Sequence, residues 1–276
     1  MNQTWNDQDA PGHAPIGPRG FVRAVLRGLP LAMLVFGCLI VLLALRLVER
    51  PLFGVRRPWT PHITQFVCRN AFRILGVGYH RIGAPMTGAG AVVSNHSSWL
   101  DIFALNAAKR IYFVSKAEVA NWPGIGWLAR ATGTVFIKRD RKEAASQIDL
   151  FRERLAAGHK LLFFPEGTST DGLRVLDFKP TLFAAFFDPA LRDDMQIQPV
   201  TLIYRAPEGC DPRTYGWWGD MDFGPHLLAT LAAAKQGSVT VHYHPPVRLT
   251  DYANRKDVAR ATQDMVRGAL TAALPQ

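Results

Sequence analysis

The longest apolar stretch of the chain lies near its N-terminus, where residues 29–45 carry no charged side chain. As a helix it would be about 26 Å long, slightly short of a bilayer hydrocarbon core of about 30 Å. It has no polar face, which disfavours a helix buried in a soluble core. Arginines flank it on both sides, so the positive-inside rule gives no orientation. A re-entrant or interfacial hairpin fits these flanks better than a clear span.

A cleavable signal peptide is the alternative interpretation of residues 29–45. A signal peptide needs a small-residue cleavage site after its apolar centre, and the basic stretch Arg46 to Arg50 follows instead. The pattern therefore favours a retained membrane anchor. Residues 60–77 place apolar side chains at helical spacing between polar ones, which predicts a second, amphipathic helix lying on the membrane.

The pattern divides the chain into three parts. Residues 1–20 are polar, rich in Pro and Gly and without periodicity, which predicts a flexible tail. Residues 21–78 are predicted to be membrane-anchoring helices. Residues 79–276 are predicted to form one folded domain, since this length suits a single hydrophobic core.

Short apolar strands alternate with helices along the predicted domain. The predicted strands are residues 91–94, 111–114, 134–137, 161–164, 197–204 and 238–242. The predicted helices are residues 100–108, 127–131, 143–157 and 255–274. This alternation is typical of an α/β fold, so we expect a central, mostly parallel sheet covered by helices on both faces.

The chain carries a formal net charge of +10 over 276 residues. A positive balance suits nucleic acid, an anionic membrane or a phosphate-bearing substrate. Nucleic acid is disfavoured because the sequence has no zinc-finger spacing, basic-zipper region or RNA-binding aromatic signature. Several arginines instead flank the apolar stretch. The three cysteines are far apart, which argues against disulfides or a zinc site and fits a reducing compartment.

His96 and Asp101 lie at the predicted start of a helix, directly after a predicted strand. A neutral imidazole in this position can take a proton from an attacking hydroxyl. A carboxylate bonded to the other ring nitrogen fixes the tautomer and stabilises the imidazolium. This spacing alone is also met by chance, and a serine N-cap with a nearby surface Asp is the structural alternative.

A second candidate segment, Phe164–Ser169, follows another buried strand. Glu166 places a carboxylate on the turn, and backbone donors around Gly167 can approach an oxyanion closely because glycine has no side chain. A plain strand-ending turn is the alternative. Arg139, after the strand that ends at residue 137, has a planar fork of donors suited to phosphate or carboxylate.

Together these residues give the chain its resemblance to the glycerolipid acyltransferase family, of the bacterial 1-acylglycerol-3-phosphate acyltransferase type. The family's first block, Asn-His-x-x-x-x-Asp, is matched by Asn95, His96 and Asp101. Its other blocks are matched by Phe136, Ile137 and Arg139, by Phe164–Ser169, and loosely by Ile197–Val200. The resemblance covers residues 80–245, and N-terminal membrane helices fit it as well.

The resemblance implies a function and a set of roles. His96 would be the general base, and Asp101 its orienting partner. The residues implied to bind the acceptor's polar head are Glu166, Gly167, Thr168, Arg139 and Lys116. The donor would be an acyl carrier protein thioester or acyl-CoA, the acceptor a lyso-lipid at the bilayer, and no metal or cofactor is implied. The implied location is the bacterial inner membrane, with the active site facing the cytoplasm.

The chain departs from the family pattern at Ser169, where many phosphatidate-forming members have Arg. A basic residue that could hold the acceptor's phosphate is therefore absent at position 169. The segment Trp217–His226 resembles the branch of the family that acylates the 3-hydroxyl of lyso-ornithine lipid. Lyso-ornithine lipid is thus the favoured acceptor, and lysophosphatidate is the alternative.

Two other classes of protein compete with this interpretation. A lipid hydrolase would need a Gly-x-Ser-x-Gly elbow, which the sequence lacks. A non-catalytic lipid-binding protein would explain the anchor but not His96, Asp101 and Glu166 together.

Overall fold

The computed structural model describes residues 4–12, 15–122, 124–137, 144–193 and 195–274. Arg139, one of the predicted binding residues, lies outside these ranges.

The N-terminal part of the chain folds into two helices that pack against each other, α1 (Pro18–Phe53) and α2 (Thr60–Leu75). Residues 29–45 are the middle of α1, so the hairpin considered for them is not present. At 1.5 Å per residue α1 is about 54 Å long. Among the described residues, α1 is the one helix that is long and apolar enough to cross a membrane, and 11% of its most apolar window is buried.

One buried carboxylate shapes the corner between α1 and α2. Glu49, near the end of α1, accepts hydrogen bonds from the backbone N–H of Trp59 at 2.7 Å and of Thr60 at 3.0 Å. It also accepts from the Thr60 hydroxyl at 2.7 Å and pairs with Arg46 at 3.0 Å. These bonds satisfy backbone donors that the first turn of α2 leaves without helical partners.

The remaining elements alternate strands and helices. The strands are β1 (Gly78–Ile82), β2 (Gly90–Ser94), β3 (Tyr112–Lys116), β4 (Val135–Ile137), β5 (Lys160–Phe163), β6 (Gln196–Arg205), β7 (Ser238–Tyr243) and β8 (Val247–Arg248). The helices are α3 (Asp101–Ala108), α4 (Ile125–Thr132), α5 (Ala144–Ala156), α6 (Pro189–Arg192), α7 (Phe223–Ala232) and α8 (Arg255–Ala273). Short 3-10 helices cover Ala117–Asn121, Pro180–Phe187 and Leu249–Asp251.

The strands form one sheet in the order β1-β7-β6-β2-β5-β3-β4, with β8 paired to β6. The pairs β1·β7, β2·β5, β2·β6, β3·β4 and β3·β5 are parallel, whereas β6·β7 and β6·β8 are antiparallel. The prediction of a mostly parallel central sheet is confirmed. Strand β6 lies beside β2 and is the point at which strand direction reverses.

Both faces of the sheet are buried against helices. Along β2, Val92 belongs to the apolar core under α2, α3 and α7. Its neighbours Ala91 and Val93 point to the opposite core, under α5, α8 and the Pro180–Phe187 3-10 helix. This alternation follows from the two-residue period of a strand, and it explains why the central strands are continuous apolar runs.

The predicted elements correspond to elements in the structure, with boundaries that shift by one or two residues. The sequence pattern missed β1, β8, α6 and α7. Strand β8 has two residues and α6 has four, which is too short for a periodic signal. The pattern also underestimated α1, which extends beyond the apolar stretch in both directions. Arg23 and Arg27 at its start donate to carbonyl oxygens at the end of α7, at 2.7–2.9 Å.

Candidate active site

The first two candidate segments meet at one edge of the sheet. His96 comes two residues after β2, and Phe164 directly follows β5. Because β2 and β5 are parallel neighbours, their carboxyl ends lie side by side. Ligands bind at the carboxyl ends of the strands in open α/β sheets. The His96 ring stacks on Phe164, with centroids 4.0 Å apart and planes at 10°.

His96 and Asp101 form the predicted dyad. His96 Nδ1 lies 2.7 Å from Asp101 Oδ2. The Asp101 side chain is fully buried, whereas that of His96 is 22% exposed. An ionised carboxylate at Oδ2 fixes the proton of a neutral imidazole on Nδ1, which leaves Nε2 as the acceptor. The arrangement is that of a general base with its orienting acid.

Local structure holds the Asp101 carboxylate in place. Asp101 opens α3, and its Oδ2 also accepts the backbone N–H groups of Ser97 at 2.8 Å and Ser98 at 3.0 Å. Its Oδ1 accepts the hydroxyl of Tyr204, on β6, at 2.7 Å. These donors hold both oxygens of the Asp101 carboxylate in fixed positions.

Asn95 joins the His96 segment to β6. Its side-chain amide donates to the Leu202 carbonyl oxygen at 3.0 Å and accepts from the Leu202 N–H at 2.8 Å. Asn95 is fully buried. It therefore continues the β2·β6 pairing beyond the end of β2 through a side chain, and it fixes the backbone immediately before the base.

Glu166 is tied to the backbone of the dyad segment. Its Oε1 accepts the His96 N–H at 2.8 Å, and its Oε2 accepts the Leu176 N–H at 2.8 Å. It is 1% exposed. Burial raises the pKa of Glu166 to about 8, against the opposing effect of the two N–H donors. Both oxygens of Glu166 therefore already accept hydrogen bonds within the protein, one of them from the backbone of His96, and the acceptor-binding role implied for Glu166 stays a prediction.

The Phe164–Ser169 turn contains Gly167 and Thr168, and Phe164 at its start stacks on the His96 ring. Gly167 has φ 73°, a left-handed conformation that favours glycine, and its N–H donates to the Phe164 carbonyl oxygen at 3.0 Å. The Thr170 N–H donates to the His96 carbonyl oxygen at 3.0 Å. His96 is therefore bonded to this part of the chain in both directions, through its carbonyl oxygen to the Thr170 N–H and through its own N–H to the Glu166 side chain.

Lys116 ends β3, which pairs with β5. It therefore lies at the same carboxyl edge of the sheet as the dyad and is half-buried. Arg139, the remaining predicted binding residue, lies outside the described residues. The position of Lys116 fits the role implied for it, which stays a prediction.

The Trp217–His226 segment contacts the dyad segment directly. The Trp217 N–H donates to the Ser97 carbonyl oxygen at 2.8 Å. Trp99 Nε1 donates to His226 Nδ1 at 3.0 Å, and the Trp99 ring meets Phe223 edge-on at 5.5 Å. The sequence resemblance singled out this segment, and the structure places it against the residues that surround the base.

The N-terminal segment, assigned to a flexible tail from its composition, also contacts this region. The Trp5 N–H donates to Thr168 Oγ1 at 3.2 Å, and Trp5 is 8% exposed. Sequence reasoning missed Trp5, Tyr204 and the structural bonds of Asn95. A lone tryptophan in a polar segment and a tyrosine in an apolar strand give no sign of contacts this distant in sequence.

Comparison with known proteins agrees with the chemistry of the site. A family model described as Acyltransferase matches residues 80–203. A lyso-ornithine lipid O-acyltransferase of Rhodobacter capsulatus is 55% identical over 266 residues, which cover 96% of each chain. The chain belongs to the acyltransferase family. It is therefore an enzyme that transfers acyl groups.

Other relatives in the acyltransferase family carry two different names. A lyso-ornithine lipid O-acyltransferase of Brucella abortus is 37% identical over 74% of this chain and 78% of its own. A 1-acyl-sn-glycerol-3-phosphate acyltransferase of Neisseria gonorrhoeae is 40% identical over 43% of this chain and 45% of its own.

A solved structure supports the fold of this acyltransferase. The crystal structure of the 1-acyl-sn-glycerophosphate (LPA) acyltransferase from Thermotoga maritima matches with a TM-score of 0.66 at 19% identity. The match covers 94% of this chain and 98% of the other. The likeness therefore includes the N-terminal helices as well as the sheet.

Proposed function

We propose that the enzyme is a membrane lyso-lipid O-acyltransferase that moves an acyl chain from a thioester to the free 3-hydroxyl of lyso-ornithine lipid. The observation that carries the chemistry is the 2.7 Å contact between His96 Nδ1 and Asp101 Oδ2. It leaves Nε2 as a base beside a turn that can hold an acceptor.

In the proposed reaction, the acceptor hydroxyl attacks the carbonyl carbon of an acyl carrier protein or acyl-CoA thioester. His96 Nε2 takes the hydroxyl proton as the oxygen–carbon bond forms. Asp101 stabilises the resulting imidazolium. The carbon–sulfur bond then breaks, and His96 returns the proton to the departing thiolate. The acceptor itself supplies the nucleophile, so the reaction needs no covalent acyl-enzyme.

Two observations support lyso-ornithine lipid as the acceptor. The relatives with that name match over most of the chain, whereas the Neisseria relative matches over less than half. Ser169 also stands where many phosphatidate-forming members of the family have a phosphate-binding arginine. The alternative is 1-acylglycerol-3-phosphate, or use of both acceptors, because relatives with that name share the acyltransferase segment.

For the membrane, we propose that residues 21–78 anchor residues 79–276 to the cytoplasmic face of the bacterial inner membrane. The support is the exposed apolar surface of α1, which includes Leu26, Met33, Ile40 and Leu47, each more than 60% exposed. Surfaces of this kind are rare in soluble monomers and typical of membrane contact.

The proposal is tested with membranes that contain the full chain and labelled acyl carrier protein thioester. Each reaction receives either lyso-ornithine lipid or 1-acylglycerol-3-phosphate. We expect labelled product from lyso-ornithine lipid, and a loss of about 100- to 10,000-fold in His96→Ala. His80→Ala, at an exposed histidine on β1, is the matched control. Product from the phosphate acceptor alone would reject the proposed acceptor, and full activity of folded His96→Ala would reject the base.

A further inference from the structure

The N-terminal arm, residues 4–12, packs on the enzyme through a tryptophan pair. The Trp5 and Trp218 ring centroids are 5.9 Å apart. The Arg174 guanidinium lies over the Trp5 ring at 5.1 Å from its centroid. Aromatic pairs and cation–π contacts are each favourable when partly buried, and Trp5 is 8% exposed. Trp5 therefore anchors the arm to the rest of the chain through packed side chains.

One end of this interface is the turn implied to bind the acceptor. The Trp5 N–H donates to Thr168 Oγ1 at 3.2 Å, and the same hydroxyl lies 3.3 Å from the Ser169 carbonyl oxygen, to which it donates. The arm is therefore bonded directly to the Thr168 side chain.

The other end of the interface is the Trp217–His226 segment. Trp218 Nε1 donates to the Gln8 carbonyl oxygen at 3.0 Å. Gly219 has φ 59°, and a Cβ at this position would meet the Asn6 side-chain oxygen. The arm therefore lies in close contact with the loop that begins this segment.

Both ends lead to the catalytic dyad through single hydrogen bonds. Directly after the turn, the Thr170 N–H donates to the His96 carbonyl oxygen. In the Trp217–His226 segment, the Trp217 N–H donates to the Ser97 carbonyl oxygen. The arm thus bridges two segments that border the base from different parts of the sequence. A surface tail without a role would not need to join them.

We propose that Trp5 is a positioning residue for the lyso-lipid acceptor, which it serves by holding the arm against Thr168 and Trp218. This rests on the proposed acyl transfer to a lyso-lipid, whichever of the two lyso-lipids is used. Removal of the Trp5 ring releases the turn and the loop together. The acceptor then binds to a less ordered site, while the dyad stays intact.

The test compares steady-state kinetics of full-length Trp5→Ala, Trp5→Phe and native enzyme in membranes. Trp5→Ala is expected to raise KM for the acceptor about tenfold, to change kcat less than about twofold, and to leave KM for the thioester donor unchanged. Trp5→Phe retains an aromatic ring against Trp218 and is expected to restore most of the affinity. Trp59→Ala is the matched control, because Trp59 also packs on one aromatic ring, Phe53, but follows the opposite end of α1.

Several outcomes would overturn the positioning role. They are an unchanged acceptor KM in folded Trp5→Ala, an equal effect in the Trp59→Ala control, or a fall in kcat with KM unchanged. The acceptor used for these measurements is the one that the native enzyme acylates in a His96-dependent reaction. If the native enzyme acylates 1-acylglycerol-3-phosphate instead of lyso-ornithine lipid, the same KM and kcat values are measured with that acceptor.

Discussion

Asp101 holds His96 through one carboxylate oxygen that is itself fixed by the backbone. Oδ2 lies 2.7 Å from His96 Nδ1 and also accepts the N–H groups of Ser97 and Ser98. The imidazole thus has one favoured tautomer and one orientation, and its exposed edge carries the free electron pair. Preorganisation of this kind is what separates a general base from a solvated histidine.

Asp101→Asn tests this relationship. An amide nitrogen at the Oδ2 position would face three N–H donors, and an amide oxygen there would lack the charge that stabilises the imidazolium. We expect kcat to fall by about 1,000- to 10,000-fold, as in catalytic triads that lose this carboxylate. Steady-state kinetics measure the loss. Asp149→Asn, at a side chain that is 75% exposed, is the control, and comparable losses in both variants would contradict the assignment.

Tyr204→Phe removes the hydroxyl that donates to Asp101 Oδ1 at 2.7 Å. A hydrogen bond to a buried charged group contributes about 1.5–3 kcal/mol, so we expect the free energy of unfolding to fall by about that amount. We expect kcat to fall about tenfold, since the carboxylate becomes less well fixed. Tyr79→Phe, which loses a 3.1 Å bond to the Ala104 carbonyl oxygen, is the matched control. Equal kcat values in the two variants would show that the Tyr204 hydroxyl has no part in positioning the dyad.

Glu166→Gln tests whether Glu166 positions the base through the backbone. The amide has one oxygen, so either the His96 N–H or the Leu176 N–H loses its acceptor. An unsatisfied buried donor costs about 1–3 kcal/mol. We expect a lower midpoint of denaturant unfolding together with a lower kcat. An unchanged unfolding midpoint with a higher acceptor KM would instead indicate direct contact with the acceptor.

His159→Phe tests the acid sensitivity of the fold. His159 is 5% exposed and stacks on Tyr112 at 3.9 Å, and its two ring nitrogens have no hydrogen-bond partner in the part of the chain that the structure describes. Burial, reinforced by the charges of Arg154, Arg57 and Arg46, lowers the pKa of His159 to about 3. The unfolded chain takes up a proton near pH 6.5 and the folded chain does not, so stability is present above pH 6.5 and is lost as the pH falls from 6.5 towards 3.

Phenylalanine keeps the stacking on Tyr112 and cannot take up a proton. We therefore expect the free energy of unfolding of His159→Phe to fall less steeply between pH 6.5 and 4 than that of the native enzyme. Denaturant titrations at several pH values measure the slope. The same replacement at the exposed His80 serves as the reference, and parallel slopes for native enzyme and His159→Phe would rule out this source of acid sensitivity.

Local signals in the sequence predict much of the fold and part of the site. The apolar pattern predicts a helix that starts near residue 100, directly after the segment with His96, and α3 does begin at Asp101. Apolar runs such as residues 161–164 predict buried parallel strands because both faces of the sheet are covered. These inferences depend on neighbours within a few residues.

Contacts between distant segments could not be predicted in this way. Tyr204 has the pattern of a core residue of β6, and only the sheet order brings its hydroxyl to Asp101. Trp5 belongs to a polar stretch, and its burial depends on Trp218, more than two hundred residues later. The extent of α1 depends on Arg23 and Arg27, which reach α7 carbonyl oxygens that the sequence pattern does not place.

The bonds from Asn95 and Asp101 to β6 have a consequence for the order in which the enzyme is made. They join residues separated by 107 and 103 positions. A growing chain that has passed Ser169 already carries His96, Asp101 and Glu166 but lacks Leu202 and Tyr204, so Asn95 and Asp101 are still without their partners on β6. The arrangement around His96 is therefore complete only after β6 has been synthesised and has paired with β2.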